Sequence, residues 1–596
     1  MLSMGKQGGC QKQHGEGIDP VRNIRQHAAA LHYERHETMQ FLQLRSPSAK
    51  TVRMQGFGGY WPSANALPQQ FYEMENMAGG GEPHALPRAP RIKVGQCERP
   101  LGLHGGSALI WADGTTLYYN GAPVGQVSEE KKQFVTMGSR VLILPDKLIF
   151  DTSALTLQPV EKRFDTVGQT DGLLVSEQGG DMGDYTHGDT APGEPEDGAL
   201  WMDTSQTPPV LMQYSASVLG WIQRTDTAVE LRSPGIGTGF EAGDGISIRG
   251  FDEHIDGSVL LLDAGEDFIR FAGILPATKT TEGPVHVARI MPDLDFAVEW
   301  NNRIWGCNSR AHEIYACALG DPYNWYCYGG TAADSFAVTV GTPGYFTGAA
   351  VHQGAVLFFT EQAVHKIFGT KPANFQMTTL PIEGPMRTAA ATLAQAGGEL
   401  FYQSREGICR YGGGRADGIS GDWGSIPLGG CAAGLGSRYY LYLPGKGIVV
   451  YDTDTGLWHR EDDPCCMAMA VYDGGVYALY EDGGIWCIGG RPPVGQPIET
   501  EANVEWCITT GELEVGAYHG RRVRDLCLRL YNEPGSDVIV SVCYDDDNIY
   551  HYVRRLTLAG KRVCRLPMIP RYARSLRIRL EGVGSCRIEA VEMKQA

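Results

Sequence analysis

An all-β fold is what this sequence predicts, on three observations. Short runs of apolar and aromatic residues recur between small or polar turns. The turns return at a nearly constant step. The chain holds 78 Gly and is only 20% charged, a turn-rich composition that disfavours helical classes, because glycine supplies the positive φ that tight hairpins need.

From His104 onward the recurring unit is a turn, a short apolar strand, a second turn and a second strand. Its instances are GGSALIWADGTTLYYNG, GSRVLILPDKLIFDTSALTLQPV, NNRIWGCNSRAHEIYACALGDPYNW, QGAVLFFTEQAVHKIFGTKPANFQ, GGELFYQSREGICRYGGG, SRYYLYLPGKGIVVYDTDTGLWHRED and GGVYALYEDGGIWCIGG. With the turn residues Asn302, Gly354, Gly398, Ser437 and Gly475 as markers, the steps are 52, 44, 39 and 38 residues, close to the ~40–50 of propeller blades. A four-stranded blade has two apolar faces and cannot stand alone, whereas radial stacking buries both. The predicted fold is therefore a β-propeller of about seven blades, with an inserted small β domain and a C-terminal β-sandwich.

Residues 1–45 are polar and read as an N-terminal extension, in part disordered, with Met39 as an alternative start. Residues 46–100, dense in Gly, Pro and Asn, read as an extended arm lying on a neighbouring subunit. Its expected anchors are Tyr60, Trp61, Phe71 and Tyr72, since aromatics bring much contact area for little lost entropy, together with Arg88 and Arg91. Residues 101–164 hold the first blades and residues 293–490 the rest. Between them the period breaks over 165–292, the mark of an insertion: an acidic, Gly/Pro-rich lead with strands ending at Trp201 and Trp221, then an alternating stretch suited to a small barrel or sandwich. Residues 491–596, with strands DLCLRLYN, DVIVSVCYDDDNIYHYV and SLRIRLEG, form the sandwich.

The net charge is −18, yet from Ile498 on 15 Lys and Arg stand against 14 Asp and Glu, so the acidity lies upstream. Such a balance argues against wrapping the outside of duplex DNA, where affinity comes from neutralising phosphates, but suits a non-stick conduit. No apolar run is long enough to span a bilayer and the first thirty residues lack a secretion signal, so a soluble chain made in a cytoplasm, without stable membrane insertion, is expected. The 15 Cys are scattered, odd in number and without a CxxC pair, which predicts buried free thiols.

No HExxH, GxSxG, GxxxxGK[ST] or Rossmann glycine pattern occurs, so neither catalytic residues nor cofactor nor metal are expected. Acids that could meet at a propeller axis, as a glycosidase pair must, are Asp295, Glu299, Glu361 and Glu406. His32 and His36 have a zinc-compatible helical spacing without a third ligand. Asp545, Asp546 and Asp547 suit a charged turn better than calcium. Cys307, Cys317 and Cys327 are too evenly spaced for zinc. Arg571, Arg574, Arg577 and Arg579 form a basic stretch; Arg574, Arg577 and Arg579 are expected to meet an acidic neighbouring subunit rather than nucleic acid. The pairs Phe358–Phe359 and Tyr439–Tyr440 should alternate between the two faces of a blade.

The segments DLDFAVEWNNRIWGCNSRAHEIYACALGDPYNW and FAVTVGTPGYFTGAAVHQGAVLFFTEQAVHKIFG, with FYEMENMAGGGEPHALPRAPR upstream, resemble a family of tailed-phage virion proteins over most of Lys50 to Met593. NNRIWG and LGDPYNW carry most of the signal. The resemblance is to the tail-nozzle (tail tubular protein B) type, and it implies a propeller with inserted platform modules. It further implies a homo-oligomeric ring, a hexamer in that family, in the virion tail beneath the portal and adaptor, with phage DNA passing through its centre during ejection. Other tail and head–tail connector proteins are the implied partners, with contact to the host surface also expected. The insertion and the sandwich depart from the family pattern. That keeps open a receptor- or glycan-binding tail propeller and, third, a polysaccharide-degrading enzyme.

Overall fold

A computed structural model of the chain describes residues 50–595 apart from 79–83, 496, 517–520, 546 and 558. The expected extension 1–45 and the pair His32 and His36 lie outside the described residues.

Seven antiparallel meanders form the propeller. The first two blades run from Pro100–Gly105 to Ala122–Gln126 and from Gln133–Met137 to Thr156–Pro159. Blades 3 to 6 run from Phe296–Glu299 to Phe336–Thr339, Phe346–His352 to Gln376–Leu380, Ala394–Ala396 to Ala416–Gly418, and Cys431–Leu435 to Leu457–Arg460. The marker turns Asn302, Gly354 and Gly398, all with positive φ, join the first and second strands of blades 3, 4 and 5.

Blades stack because their second strands are apolar on both faces. In Ala355–Thr360 of blade 4 every residue is buried. Val356 and Phe358 pack with Trp305 and Ile314 of blade 3, while Leu357 and Phe359 pack with Tyr402 and Tyr411 of blade 5. The period of two thus sends alternate side chains into successive interfaces. Tyr439 and Tyr440 divide in the same way between the two sides of blade 6.

Blade 7 is composite. Cys466–Tyr472, Gly475–Tyr480 and Gly484–Gly490 supply three strands, and Ile92–Gln96, from ahead of the first blade, pairs antiparallel with Gly484–Gly490 as the fourth. The Cys97 N–H donates to the Gly483 carbonyl at 2.9 Å. Gly483 has φ +84°, and a Cβ there would lie 1.9 Å from the Cys97 carbonyl oxygen, so only glycine fits this crossing. Leu103 and Trp111 of blade 1 then pack on Tyr477 and Leu479 of blade 7, closing the ring.

The sandwich also draws on distant chain. One sheet orders Lys50–Met54, Cys586–Gln595, Arg521–Asn532 and Gly560–Ala573; the other orders Phe71–Glu75, Glu505–Thr510, Ser575–Val583, Asp537–Tyr544 and His551–Leu556. The expectation that 46–100 is an arm on a neighbour is therefore corrected. Its segments are strands of the sandwich and of blade 7, because Phe71 and Met74, 1% and 2% exposed, find their core within the same chain. Glycine at 59 permits the close approach to blade 6: a Cβ would lie 2.5 Å from the Trp458 carbonyl oxygen. The sandwich thus covers the outer edge strand of blade 6, which would otherwise offer unpaired backbone groups.

The insertion leaves after blade 2 and returns at blade 3. An eight-stranded sheet begins with Lys162–Asp165, three residues ahead of the expected boundary at 165, and encloses Val229, Leu231, Phe251 and Phe271. A separate four-stranded sheet, Tyr185–Gly188 to Gly220–Gln223, carries the Trp201–Trp221 edge-to-face pair at 5.4 Å.

Candidate binding site at the mouth of the propeller

The first strands of the blades converge on the axis and enclose a cavity of about 1060 Å³. It opens on the face that carries the blade-to-blade connections, where Lys131, Leu294 and Gly430 lie, and the turns between second and third strands, where Pro145, Pro444 and Glu481 lie. The lining is mixed: His104, Gln133 and Asp295 are polar, Ala349, Leu393 and Met467 apolar. Small residues keep it open; a Cβ on Gly348 would lie 2.9 Å from Leu393. His104 stacks on Phe134 with ring centroids 5.7 Å apart and shares a 2.7 Å hydrogen bond with Thr136. Burial lowers its pKa to about 4, so at neutral pH it presents an uncharged imidazole.

The 3-10 turn Arg387–Thr392 crosses from blade 4 to blade 5 at the rim of this cavity. Arg387 also lines a second recess of about 400 Å³ with Tyr345, Thr347, Thr360, Glu361 and Gln362. The guanidinium of Arg387 sits 4.1 Å from the centroid of the Tyr345 ring, which remains 57% exposed. Glu361 accepts the Arg387 backbone N–H at 3.1 Å and lies 3.7 Å from Arg405. The recess thus places an aromatic surface, a cation, a carboxylate and an amide together.

Of the four candidate acids, the structure brings Asp295 and Glu361 to this mouth. Asp295 accepts the Ser309 N–H at 2.6 Å. Glu299 is at the far end of its strand, accepting the Asn302 N–H at 2.8 Å, and Glu406 lies in an exposed turn of blade 5. Tyr345, Thr347, Gln362 and Arg387 were missed by the sequence reading. The only signals for them were the TPGYFT turn and the Arg after EGPM.

The six residues expected to anchor on a neighbour hold their own chain. Tyr60 donates its backbone N–H to Trp458 at 2.6 Å and meets Trp423 edge-on at 5.4 Å. Trp61 donates its indole N–H to Asp422 at 2.7 Å. Phe71 stacks on Phe57 at 5.3 Å, and Tyr72 lies under Arg577 at 4.7 Å. Arg88 makes a two-pronged bond to Glu501, at 2.6 and 2.9 Å, and Arg91 pairs with Glu461 at 2.6 Å and with Asp462. Burial alone would lower the Arg91 pKa, but Glu461 and Asp462 outweigh it and raise it. Burial likewise opposes ionisation of Glu501, yet the hydrogen bonds from Arg88 and from the Arg91 N–H hold its carboxyl below the ordinary value. These charges fasten the closing strand to the loop between blades 6 and 7.

Arg577 and Arg579 share the outer face of one sandwich strand. Arg579 pairs with Glu581 at 2.8 Å and lies 3.5 Å from Glu73, with its guanidinium over Tyr550 at 4.9 Å. Arg574 precedes the strand, and its backbone N–H donates to Asp545 at 2.6 Å. The expected basic contact is thus partly neutralised within the chain. Asp547 caps the Ile549 N–H within the hairpin turn, Asp545 accepts the Arg574 and Ser575 N–H groups at the start of the neighbouring strand, and Asp546 lies outside the described residues. Cys307 and Cys317 are buried core thiols, Cys317 pushed up to about 12 by burial.

NNRIWG and LGDPYNW fix blade 3 to the insertion. Arg303, 2% exposed, donates to the carbonyls of Cys317, Ala332 and Asp334. Asn324 accepts the Gly245 N–H at 3.0 Å and donates to Asp244 at 3.1 Å. Asp244 in turn pairs with Arg289 at 2.7 Å.

No protein-family model matches the chain, and no curated protein matches it in sequence. Among solved structures, BamB from Moraxella catarrhalis aligns at 9% identity over 67% of this chain and 99% of its own, with a TM-score of 0.31. PorZ, a surface component of the type-IX secretion system of Porphyromonas gingivalis, aligns at 11% identity over 79% and 75%, with a TM-score of 0.24. An exo-β-1,3-galactanase from Phanerochaete chrysosporium aligns at 9% identity over 72% and 100%, with a TM-score of 0.17. Likenesses this distant carry no functional argument; the propeller rests on its own seven sheets. The expectation that this chain is not an enzyme rested on missing motifs alone and is corrected; an enzyme stands among these similar structures. Missing sequence motifs do not exclude a site whose carboxylates come from separate blades. At that TM-score the likeness assigns no activity either.

Proposed function

We propose that the chain is a receptor- or glycan-binding propeller protein that works as a component of a phage tail. The observation that carries the binding part is the 1060 Å³ axial cavity, open at one face and joined through Arg387 to the aromatic recess beside it. Concave sites into which a few polar groups converge are where proteins take ligands. The tail part rests on the resemblance of NNRIWG, LGDPYNW and the neighbouring segments to virion proteins. The chain would then be assembled in a bacterial cytoplasm and carried in the virion, with other tail proteins as partners.

Binding of the purified chain to envelope polysaccharide of its host is the test. Ala391 is exposed on the rim of the cavity, and Ala391→Trp would fill the mouth without entering the core. At least a tenfold loss of binding is expected; unchanged binding would remove the mouth from the account.

A ring-forming role in the ejection conduit is the second reading. It is supported by the exposed apolar tip of the insertion, where Val218, Leu219 and Ile222 are 66%, 81% and 49% exposed, an uncommon outlay of apolar surface unless something covers it. The solution mass of the chain, alone and with the products of adjacent structural genes, tests this; a persistent monomer would count against it.

A further inference from the structure

Blade 4 departs from its neighbours at one residue. The pairing of Phe346–His352 with Ala355–Thr360 slips between Phe346 and Gly348, so Thr347 is an extra residue in a β-bulge. Bulges re-aim a side chain. The first strands of blades 1 and 7 slip in the same way, at Leu101 and Met467, where the extra residue is apolar. Only in blade 4 does the bulge bring a hydroxyl. Thr347 is 1% exposed, lines the 400 Å³ recess, and its Oγ1 has no hydrogen-bond partner. A buried hydroxyl left unmet is costly and calls for an explanation.

The other walls say what would meet it. Tyr345 offers ring surface of the kind that stacks on the C–H face of a pyranose. Gln362 and Glu361 offer amide and carboxylate groups to ring hydroxyls. Arg387 and Arg405 against Glu361 leave one positive charge in excess, and no described carboxylate pairs with the Arg387 guanidinium, whose planar fork matches a carboxylate. The volume lies at the small end of the range for ligand sites.

We infer that the Tyr345–Thr347–Arg387 recess is a subsite for a carboxylated sugar residue of uronic-acid type. It rests on the proposed glycan-binding role and gives it a chemical preference. The ring stacks on Tyr345, the sugar carboxylate pairs with Arg387, and a sugar hydroxyl reaches Thr347 Oγ1.

The experiment titrates the full chain with a glucuronic acid-terminated oligosaccharide and its glucose-terminated counterpart, by calorimetry at low salt. At least a tenfold preference for the acid is expected. Arg387→Gln should abolish that preference, lowering affinity for the acid at least tenfold more than for the neutral sugar, and Tyr345→Ala should weaken both. Thr347→Val should weaken binding about threefold without lowering the unfolding midpoint, which separates a ligand contact from a structural one. Equal affinity for the two sugars, a preference that survives Arg387→Gln, or no binding of either would overturn the inference. The broader role fails separately: if the acid preference depends on Arg387 while Ala391→Trp leaves envelope polysaccharide binding intact, the subsite stands and the axial mouth does not.

Discussion

Blades 4 and 7 share one plan and differ in how each is completed. Blade 4 is continuous from Phe346–His352 to Gln376–Leu380, whereas blade 7 takes its outer strand, Ile92–Gln96, from the opposite side of the ring's chain order. Both first strands slip register at the mouth. Blade 7 puts Met467 there, an apolar group that asks for nothing, and blade 4 puts Thr347, whose hydroxyl is unmet. Beside the closing strand of blade 7, buried cations are paired: Arg88 with Glu501, and Arg91 with Glu461 and Asp462. The contrast teaches that paired charges at the closure hold the ring together, while the unmet Thr347 hydroxyl sits in a blade that does not need it for closure.

The largest effect should come from breaking the closure. Arg91→Ala would leave Glu461, 4% exposed, without its nearest cation. A loss of about 3–5 kcal/mol is expected, read as a lower denaturant midpoint, with blade 7 losing hydrogen-exchange protection first; a loss below 1 kcal/mol would show that the pair is not needed for closure.

Acid should act next, through His104 in the axial cavity and through Glu501 at the closure. The folded pKa of His104, about 4, is below its ordinary 6.5, so the unfolded chain takes up the proton first. The stability is present above pH 6.5 and is lost as pH falls from 6.5 toward 4, by about 2–3 kcal/mol. Glu501, depressed below its ordinary 4.5, adds a further loss below that pH. His104→Gln should flatten the upper part of this profile and leave the lower part unchanged.

Trp61→Phe removes the indole hydrogen bond to Asp422 and keeps the ring. A cost of about 1 kcal/mol in thermal unfolding would show that this tie contributes to seating the sandwich on blade 6. The smallest effect should be that of Thr347→Val. Removal of an unmet hydroxyl should leave stability within about 0.5 kcal/mol or raise it slightly, whereas a loss above 1 kcal/mol would mean that Thr347 serves the blade.

The propeller was legible because its signal is local. Each hairpin announces itself through a turn such as Asn302 or Gly398 and a run such as AVLFFT, and the repeat adds them together. Phe358–Phe359 and Tyr439–Tyr440 could be assigned to opposite faces for the same reason. The strands Lys50–Met54, Phe71–Glu75 and Ile92–Gln96 were not legible, because their partners lie hundreds of residues away and Gly and Pro around them read as arm. The recess was hidden for a third reason. A bulge at Thr347 and a rim turn at Arg387 leave no periodic trace, so neither residue stands out in sequence.

The closing strand also sets a timetable. During synthesis Ile92–Gln96 emerges about 390 residues before Gly484, its first partner in blade 7, a delay of roughly 20 to 80 s at ordinary bacterial elongation rates. Lys50–Met54 waits longer still, for Val591 to Gln595. Until then the nascent chain carries unpaired strands whose proper mates do not yet exist. Ring closure and sandwich formation are therefore late events in synthesis, and a truncated or stalled chain would present those strands to chaperones or to each other.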